Sequence, residues 1–97
     1  MDYDLYIKHY RAFDAEFFPS SSIEEIEDKM LEEMDELSEE MENGGAIENK
    51  ISEATDTLNI NIKLLNAYGV KDVLHAGFMK LQETAEKYRK QGLGNAP

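Results

Sequence analysis

The sequence contains no cysteine, few basic residues and no long apolar run. Without cysteine, neither a disulfide framework nor a thiolate metal site can form. The apolar runs are too short to cross a bilayer, and the first ten residues lack the basic start and apolar stretch of a signal peptide. We therefore expect a soluble, cytoplasmic protein with no membrane partner.

Positive charge is scarce as well: 10 Lys and Arg stand against 21 Asp and Glu, which gives a net charge of −11. This charge opposes nonspecific binding to nucleic-acid polymers, and an anionic ligand would need a cation between itself and the protein. The length of 97 residues suits one small domain. We predict a single helical domain over residues 1–91, followed by a flexible tail over residues 92–97.

Apolar residues recur at steps of three and four along four segments, which predicts four helices. The first spans residues 2–18 and ends before Pro19. The second begins near Ile23, after a Ser22/Glu25 capping box, and stops at the Asn43-Gly44-Gly45 turn. The third runs from about Ala46 to Tyr68 with a closing glycine at Gly69, and a fourth follows it. The fold class is therefore all-α, and an antiparallel four-helix arrangement is the natural architecture.

The third helix carries two acids where apolar residues are expected. Ile60, Leu64 and Ala67 form a second apolar patch beside the main stripe, so this half of the helix needs a further partner, such as a second subunit. Traced back one and two turns, the same face meets Asp56 and Glu53. Carboxylates at the rim of a buried surface repel each other unless a cation or donors compensate. A bound divalent metal is the simplest compensation.

The second helix offers matching carboxylates. Glu33 and Glu36 flank its apolar stripe, with Glu32 further round the helix. In an antiparallel pair they could face Glu53 and Asp56. Four oxygen donors on facing helices make a site for a hard cation, usually Mg²⁺, which keeps waters that phosphate oxygens can replace. Mn²⁺ is a possible substitute.

These residues also form a recognisable pattern. Glu32-Glu33-x-x-Glu36, sixteen intervening residues and Glu53-x-x-Asp56 resemble the motif of the MazG-like all-α nucleoside triphosphate pyrophosphohydrolases. That superfamily is also similar to this chain at Lys29-Met30-Leu31 and in the segment that begins at Asp56. The resemblance covers roughly residues 22–91. The chain departs from it at Ala54-Thr55, where glycine is frequent, and lacks the tryptophan-containing N-terminal pattern of the namesake proteins.

The resemblance implies a Mg²⁺-dependent enzyme that releases pyrophosphate from a nucleoside triphosphate and works as a homodimer or homotetramer. Glu33, Glu36, Glu53 and Asp56 would bind the metal. Glu32 and Glu33 are the expected catalytic residues, with Glu32 as a general base or water-orienting group. Phosphoribosyl-ATP cleavage is a variant within the same class.

Substrate contacts are expected from other polar residues. Asn59 could hold a substrate oxygen, or it could satisfy neighbouring polar groups. Lys63 could meet a phosphate or simply reach solvent. Near the end of the last helix lies a basic group that could clamp phosphates or complement the helix dipole: Lys87, Arg89 and Lys90. Tyr6 and Tyr10 are candidate base contacts within an otherwise core-like stripe, and no chemistry is assigned to His9 or His75.

One alternative belongs to a different class of protein. The acidic helices could instead form a non-catalytic module that binds a basic partner, or a family member that binds nucleotide without hydrolysing it. Solvent-exposed, widely separated carboxylates would favour the interaction module. Burial and convergence of the carboxylates would favour the enzyme.

Overall fold

A computed structural model describes residues 1–94 of the protein as four α-helices. They are α1 (Tyr3–Phe17), α2 (Ile23–Glu42), α3 (Ile47–Ala67) and α4 (Val73–Lys90). No strand occurs within residues 1–94, so the all-α prediction is confirmed. Of the predicted tail, residues 95–97 lie outside the described part. Within that described part, no helix combines the length and apolarity needed to cross a membrane.

Local capping interactions set where the helices begin. The Asp2 carboxylate accepts a hydrogen bond from the Leu5 amide at 2.8 Å at the start of α1. The predicted capping box opens α2: the Glu25 amide donates to the Ser22 hydroxyl at 3.1 Å, and the Ser22 amide donates to the Glu25 carboxylate at 3.3 Å. Two amides that would otherwise lack partners are therefore satisfied at the helix start.

The helices α2 and α3 form a hairpin, which holds most of the contacts between helices. The turn between them uses Gly44 at φ 64°, and Gly69 follows α3 at φ 94°; both angles favour glycine. The Tyr68 hydroxyl, just after α3, donates to Glu27 near the start of α2 at 2.6 Å. Consequently, α3 runs back along the length of α2, and residues of both helices share the inner face.

The first helix contacts α3 through two side-chain interactions. The Tyr6 hydroxyl donates to the Asn59 side-chain oxygen, and Lys63 forms an ion pair with Asp14 at 2.6 Å. Residues of α1 line one side of a cavity, and residues of the α2–α3 hairpin line the other side. The last helix, α4, makes few contacts with α3, and its first two turns border a second cavity together with α1.

One chain buries very little of its apolar surface. Within residues 1–94 only Ile26, Ile62 and Glu33 are buried, and none of them completely. The accessible surface is 7638 Å², whereas a folded monomer of 11.1 kDa exposes about 5,700 Å². The radius of gyration is 16.4 Å, against about 12.5 Å for a compact chain of this length. The excess surface is therefore about 1,900 Å².

The uncovered apolar surface differs from the one that the sequence suggested. The patch of Ile60, Leu64 and Ala67 is half-buried, and Ile60 lines the cavity between α1 and the hairpin. The main stripe is instead exposed toward the start of α3, and large apolar residues of α4 are also at least half exposed. The exposed members are Ile47, Ile51 and Leu58 on α3 and Leu74, Phe78, Leu81 and Tyr88 on α4.

Candidate metal centre and adjoining cavity

Three carboxylates converge where α2 and α3 face each other. Glu53 and Asp56 are three residues apart on α3 and therefore share one face of the helix. Because α3 runs back along α2, Glu33 lies opposite them. Each of the three side chains offers one oxygen, and these oxygens all lie within 4.8 Å of one another. Residues from both halves of the MazG-like pattern are thus brought to one place.

Two of these carboxylates hold oxygens that the described residues leave unsatisfied. Glu33 is only 7% exposed. Its Oε2 atom and the Oε2 atom of Glu53 are buried, and neither has a hydrogen-bond partner within residues 1–94. Lys29 compensates in part, since its ammonium group lies 3.0 Å from Glu33 Oε1. Buried carboxylate oxygens without partners are costly, so the cluster lacks a cation or donors.

The remaining acids of the first motif differ in their environments. Glu36 is half-buried beside the cluster. The negative charge of Glu33 raises the pKa of Glu36, with further contributions from burial and from Glu53. Glu32 is exposed, and its carboxylate lies 3.4 Å from the Lys29 ammonium. Glu36 therefore borders the three converging carboxylates, whereas Glu32 lies outside them.

The donor set has the chemistry of a hard-cation site. Carboxylate oxygens suit Mg²⁺, Mn²⁺ and Ca²⁺, whereas soft metals prefer sulfur ligands such as cysteine thiolate, and this chain has no cysteine. The two unsatisfied oxygens of Glu33 and Glu53 provide a separate indication, because acidic surface clusters normally keep their oxygens in water. The residues present therefore fit a divalent cation.

A cavity of about 630 Å³ opens beside the carboxylates. Glu33 and Asp56 lie on its wall, and α1, α2 and α3 all contribute to it. Apolar atoms make up most of its surface, although nine of the fifteen lining residues are polar or charged. The aromatic and aliphatic lining residues are Tyr6, Tyr10, Phe13, Phe18, Ile26 and Ile60.

Asn59 lies in this cavity one helical turn beyond Asp56. The Tyr6 hydroxyl donates to Asn59 Oδ1, so the amide NH₂ group remains as a donor for a ligand. Tyr10 follows Tyr6 by one turn of α1. Burial raises the pKa of Tyr10 to about 12, with smaller contributions from Asp14 and Tyr6. Tyr10 is therefore a neutral hydroxyl on the cavity wall near neutral pH.

Lys63 is held inside the cavity and does not extend into solvent. Its side chain is only 12% exposed. The ammonium group lies 2.6 Å from Asp14 Oδ1, 3.2 Å from the Ser21 hydroxyl and 4.9 Å from the centre of the Phe18 ring. The solvent-exposed interpretation of Lys63 is therefore wrong. Its charge is also already paired with a carboxylate from α1.

The basic group of α4 lies elsewhere. Lys87, Arg89 and Lys90 occupy the last turn of the helix, and none of them lines the cavity beside the carboxylates. Lys90 pairs with Glu86 at 3.3 Å on an exposed surface. Cations at this end complement the helix dipole. Within one chain, these residues are not brought to the carboxylates.

Five polar cavity residues were missed by the sequence analysis, which assigned Glu25 only to the capping box: His9, Asp14, Ser21, Glu25 and Lys29. Lys29 had a usable signal, because it precedes Glu33 by four residues and such pairs meet on a helix. His9 lies on the α1 face that carries Tyr6, Tyr10 and Phe13. Asp14 and Ser21 had no signal, since only the docking of α1 onto α3 brings them to Lys63.

Comparison with known proteins does not assign a family. No family model, curated protein or solved structure matches the chain. The MazG-like assignment therefore stays a prediction from the two motifs. A proposal about function must be argued from the carboxylates, the cavity and the uncovered apolar surface.

Proposed function

We propose that the protein is a Mg²⁺-dependent nucleoside triphosphate pyrophosphohydrolase of the MazG-like class. The supporting observation is the convergence of Glu33, Glu53 and Asp56, with two buried unsatisfied oxygens, at the wall of a 630 Å³ cavity. A cation site beside an aromatic cavity suits a ligand that has polyphosphate at one end and a flat heterocycle at the other.

The carboxylates would hold the metal. Glu33, Glu53 and Asp56 are the direct ligands in this proposal, and Glu36 completes the set from the border of the cluster. When bound, Mg²⁺ supplies charge neutralisation of the triphosphate and polarisation of the phosphorus that is attacked. Mn²⁺ would serve as a substitute because it accepts the same oxygen ligands.

Other residues orient the substrate and accept a proton. The Asn59 amide, fixed by Tyr6, donates toward a sugar or phosphate oxygen one turn from Asp56. Glu32 is the proposed acceptor of the proton of the attacking water; it is exposed and lies outside the three converging carboxylates, so its side chain would have to turn toward them. Release of pyrophosphate follows attack at the phosphorus nearest the nucleoside.

Assembly into a homodimer or homotetramer belongs to the proposal. The excess accessible surface of about 1,900 Å² is more than the roughly 800 Å² per partner of a standard protein interface. Covering α4 and the start of α3 with a second copy would complete an antiparallel helical arrangement. The phosphate-clamp role of Lys87, Arg89 and Lys90 would then need α4 of a neighbouring subunit. A cytoplasmic location remains part of the proposal.

The rival interaction module receives less support. It requires separated and solvated carboxylates, whereas Glu33 is buried and its ligand atom lies within 4.8 Å of those of Glu53 and Asp56. Asp56 is exposed, but it opens toward the cavity and lines it. These distances support a metal-dependent function over a charged docking face.

Pyrophosphate release from a panel of nucleoside triphosphates tests the proposal directly. The common ribo- and deoxyribonucleotides, modified nucleotides and phosphoribosyl-ATP are each incubated with Mg²⁺ or with EDTA. We expect metal-dependent release that Glu53→Ala abolishes and that Glu48→Ala leaves intact, since Glu48 is an exposed acid in the first turn of the same helix. Release that is absent with every nucleotide, or unchanged by Glu53→Ala, would contradict the proposal.

A further inference from the structure

We propose that Asp14 and Lys63 form the element that reads the edge of the nucleobase, at the end of the cavity far from the carboxylates. This inference rests on the proposed function for the direction in which the ligand lies. It gives Lys63 a role different from the phosphate contact expected from the sequence. It also gives a role to Asp14, which the motifs do not include.

The spacing along α3 places the two ends of the ligand. Asp56, Asn59 and Lys63 follow one another at steps of three and four residues, so they line one face of the helix. All three line the cavity. Lys63 is two turns beyond Asp56, a rise of about 10 Å. Phosphates held at the carboxylates therefore put the sugar near Asn59 and the base near Lys63.

The chemistry at that end is a fixed donor beside a fixed acceptor. Lys63 is held by Asp14, Ser21 and the face of the Phe18 ring. The Asp14 side chain is 31% exposed, and Asp14 lines the cavity. No hydrogen bond within residues 1–94 uses its second oxygen, Oδ2. The edge of each common nucleobase presents a donor next to an acceptor, in an order that differs between bases, so a fixed carboxylate beside a fixed ammonium group would favour one order. A ribose without a base also has hydroxyls that donate and accept, but it has no flat ring to stack on Phe18.

The walls around the pair suit a flat heterocycle. Phe18 lies under Lys63, and the Phe13 and Phe18 ring centres are 6.1 Å apart. Tyr10 lines the same cavity as a neutral hydroxyl. Bases stack on aromatic side chains irrespective of sequence. The rings would thus hold the base, while Asp14 and Lys63 distinguish one base from another.

A purely structural role for the pair makes a different prediction. If the ion pair only ties α1 to α3, then its loss should weaken all ligands by a similar factor. If the pair reads the base, then a change in its donor and acceptor pattern should alter the order of preference among bases. Asp14→Asn is suited to this distinction, because it keeps the size and one acceptor of Asp14 while adding a donor.

The first experiment uses the wild-type protein and ligands without phosphate. Adenosine, guanosine, cytidine, uridine and ribose are titrated into the full chain in EDTA, and binding is followed by NMR chemical-shift changes. We expect nucleosides to shift the signals of Phe18 and Lys63, and ribose to leave them unchanged. In contrast, Mg²⁺ with pyrophosphate should shift Glu53 and Asp56. Equal responses to ribose and nucleosides would overturn the inference without any variant.

The second experiment compares nucleoside affinities among variants. Asp14→Asn and Lys63→Gln should change the ratio of dissociation constants between the best and the worst nucleoside by about tenfold or more, as expected for hydrogen bonds to charged groups. Lys80→Gln, which breaks an exposed ion pair on α4 with Glu83, should leave the ratio unchanged. Circular dichroism and sedimentation check that each variant keeps its helices and assembly. A uniform loss for all nucleosides would assign the pair to structure alone.

These outcomes separate the inference from the proposed function. Nucleoside binding that depends on Asp14 and Lys63, without any pyrophosphate release, would support the base-reading pair while contradicting the enzyme. Metal-dependent pyrophosphate release with unaltered base preference in both variants would support the enzyme and overturn the inference.

Discussion

Glu33 on α2 and Glu53 on α3 each turn one buried carboxylate oxygen, Oε2, toward surroundings that supply no hydrogen-bond partner within residues 1–94. Neighbouring carboxylates in such a place repel each other, and burial adds a desolvation cost. The protein without metal should therefore be destabilised at this point. Metal binding should stabilise it, because a ligand that binds only the folded state shifts the folding equilibrium.

Removing one of these charges should raise the stability of the metal-free protein and at the same time lower its affinity for Mg²⁺. We predict that Glu53→Gln raises the free energy of unfolding in EDTA by about 1 kcal/mol, because repulsion with Glu33 is relieved. The same change should weaken Mg²⁺ binding at least about tenfold, because a charged oxygen ligand is lost. Thermal unfolding in EDTA and in Mg²⁺, together with calorimetric titration of Mg²⁺, measures both effects.

Glu48→Gln is the matched control for that experiment. It removes a carboxylate from the exposed first turn of the same helix. The free energy of unfolding in EDTA and the free energy of Mg²⁺ binding should therefore each change by no more than about 0.5 kcal/mol. Equal Mg²⁺ affinity in Glu53→Gln and wild type would remove Glu53 from the metal site.

Lys29 should behave as the counter-ion of Glu33 when no metal is bound. We predict that Lys29→Met lowers the free energy of unfolding in EDTA by about 1–2 kcal/mol, less than for a fully buried pair because the Lys29 side chain is 48% exposed. Saturating Mg²⁺ should recover most of this loss, because the metal replaces the missing positive charge.

An exposed pair on α4 gives the comparison for Lys29. Lys80→Met breaks a contact with Glu83 in which both side chains are 72% exposed. Lys80→Met should change the free energy of unfolding by no more than about 0.5 kcal/mol, with and without Mg²⁺. If Lys29→Met is no more destabilising than Lys80→Met, then Glu33 does not depend on Lys29 for its compensation.

The helices and their ends could be predicted from the sequence because local chemistry decides them. The Ser22/Glu25 box and the left-handed glycine at Gly69 need only neighbouring residues, and both occur as expected. The hairpin brings Glu33 to Glu53 and Asp56, as a short turn between two amphipathic helices suggests. Local capping chemistry and helical periodicity are sufficient to predict these features.

The cavity could not be predicted in the same way, because it depends on how α1 docks. Asp14 and Lys63 are 49 residues apart, and no local pattern links them. Periodicity also left open which apolar face of α3 would be covered. Ile60 is half-buried and lines the cavity between α1 and the hairpin, whereas Ile51 is exposed. Tertiary contacts of this kind follow from the three-dimensional arrangement and not from the spacing of residues along one helix.

The half-buried Tyr10 should make the free energy of unfolding fall as the pH rises through the alkaline range. Its pKa in the folded protein is about 12, above the ordinary value of 10.0, chiefly because burial disfavours the phenolate. The folded state therefore holds this proton more tightly than the unfolded state. The contribution is complete below pH 10 and is lost as the pH rises to about 12. Tyr10→Phe should flatten the fall in stability across this range.

Guanidinium unfolding at several values between pH 9 and pH 12 measures that slope. Tyr88→Phe, at an exposed position on α4, controls for the loss of a tyrosine hydroxyl. An identical slope in wild type and Tyr10→Phe would show that Tyr10 does not keep its proton through burial in the cavity.

The exposed apolar stripe of α4, formed by Leu74, Phe78, Leu81 and Tyr88, should be an interface between copies of this chain. Phe78 is 56% exposed and lies between Leu74 and Leu81 on that stripe. We predict that Phe78→Glu weakens self-association by about 2 kcal/mol or more, roughly 30-fold, because it places a charge where an aromatic anchor is buried. Gln82→Glu adds the same charge at an exposed position on the same helix and should have little effect. Sedimentation equilibrium measures the association, and a wild-type chain that stays monomeric at micromolar concentration would contradict the proposed assembly.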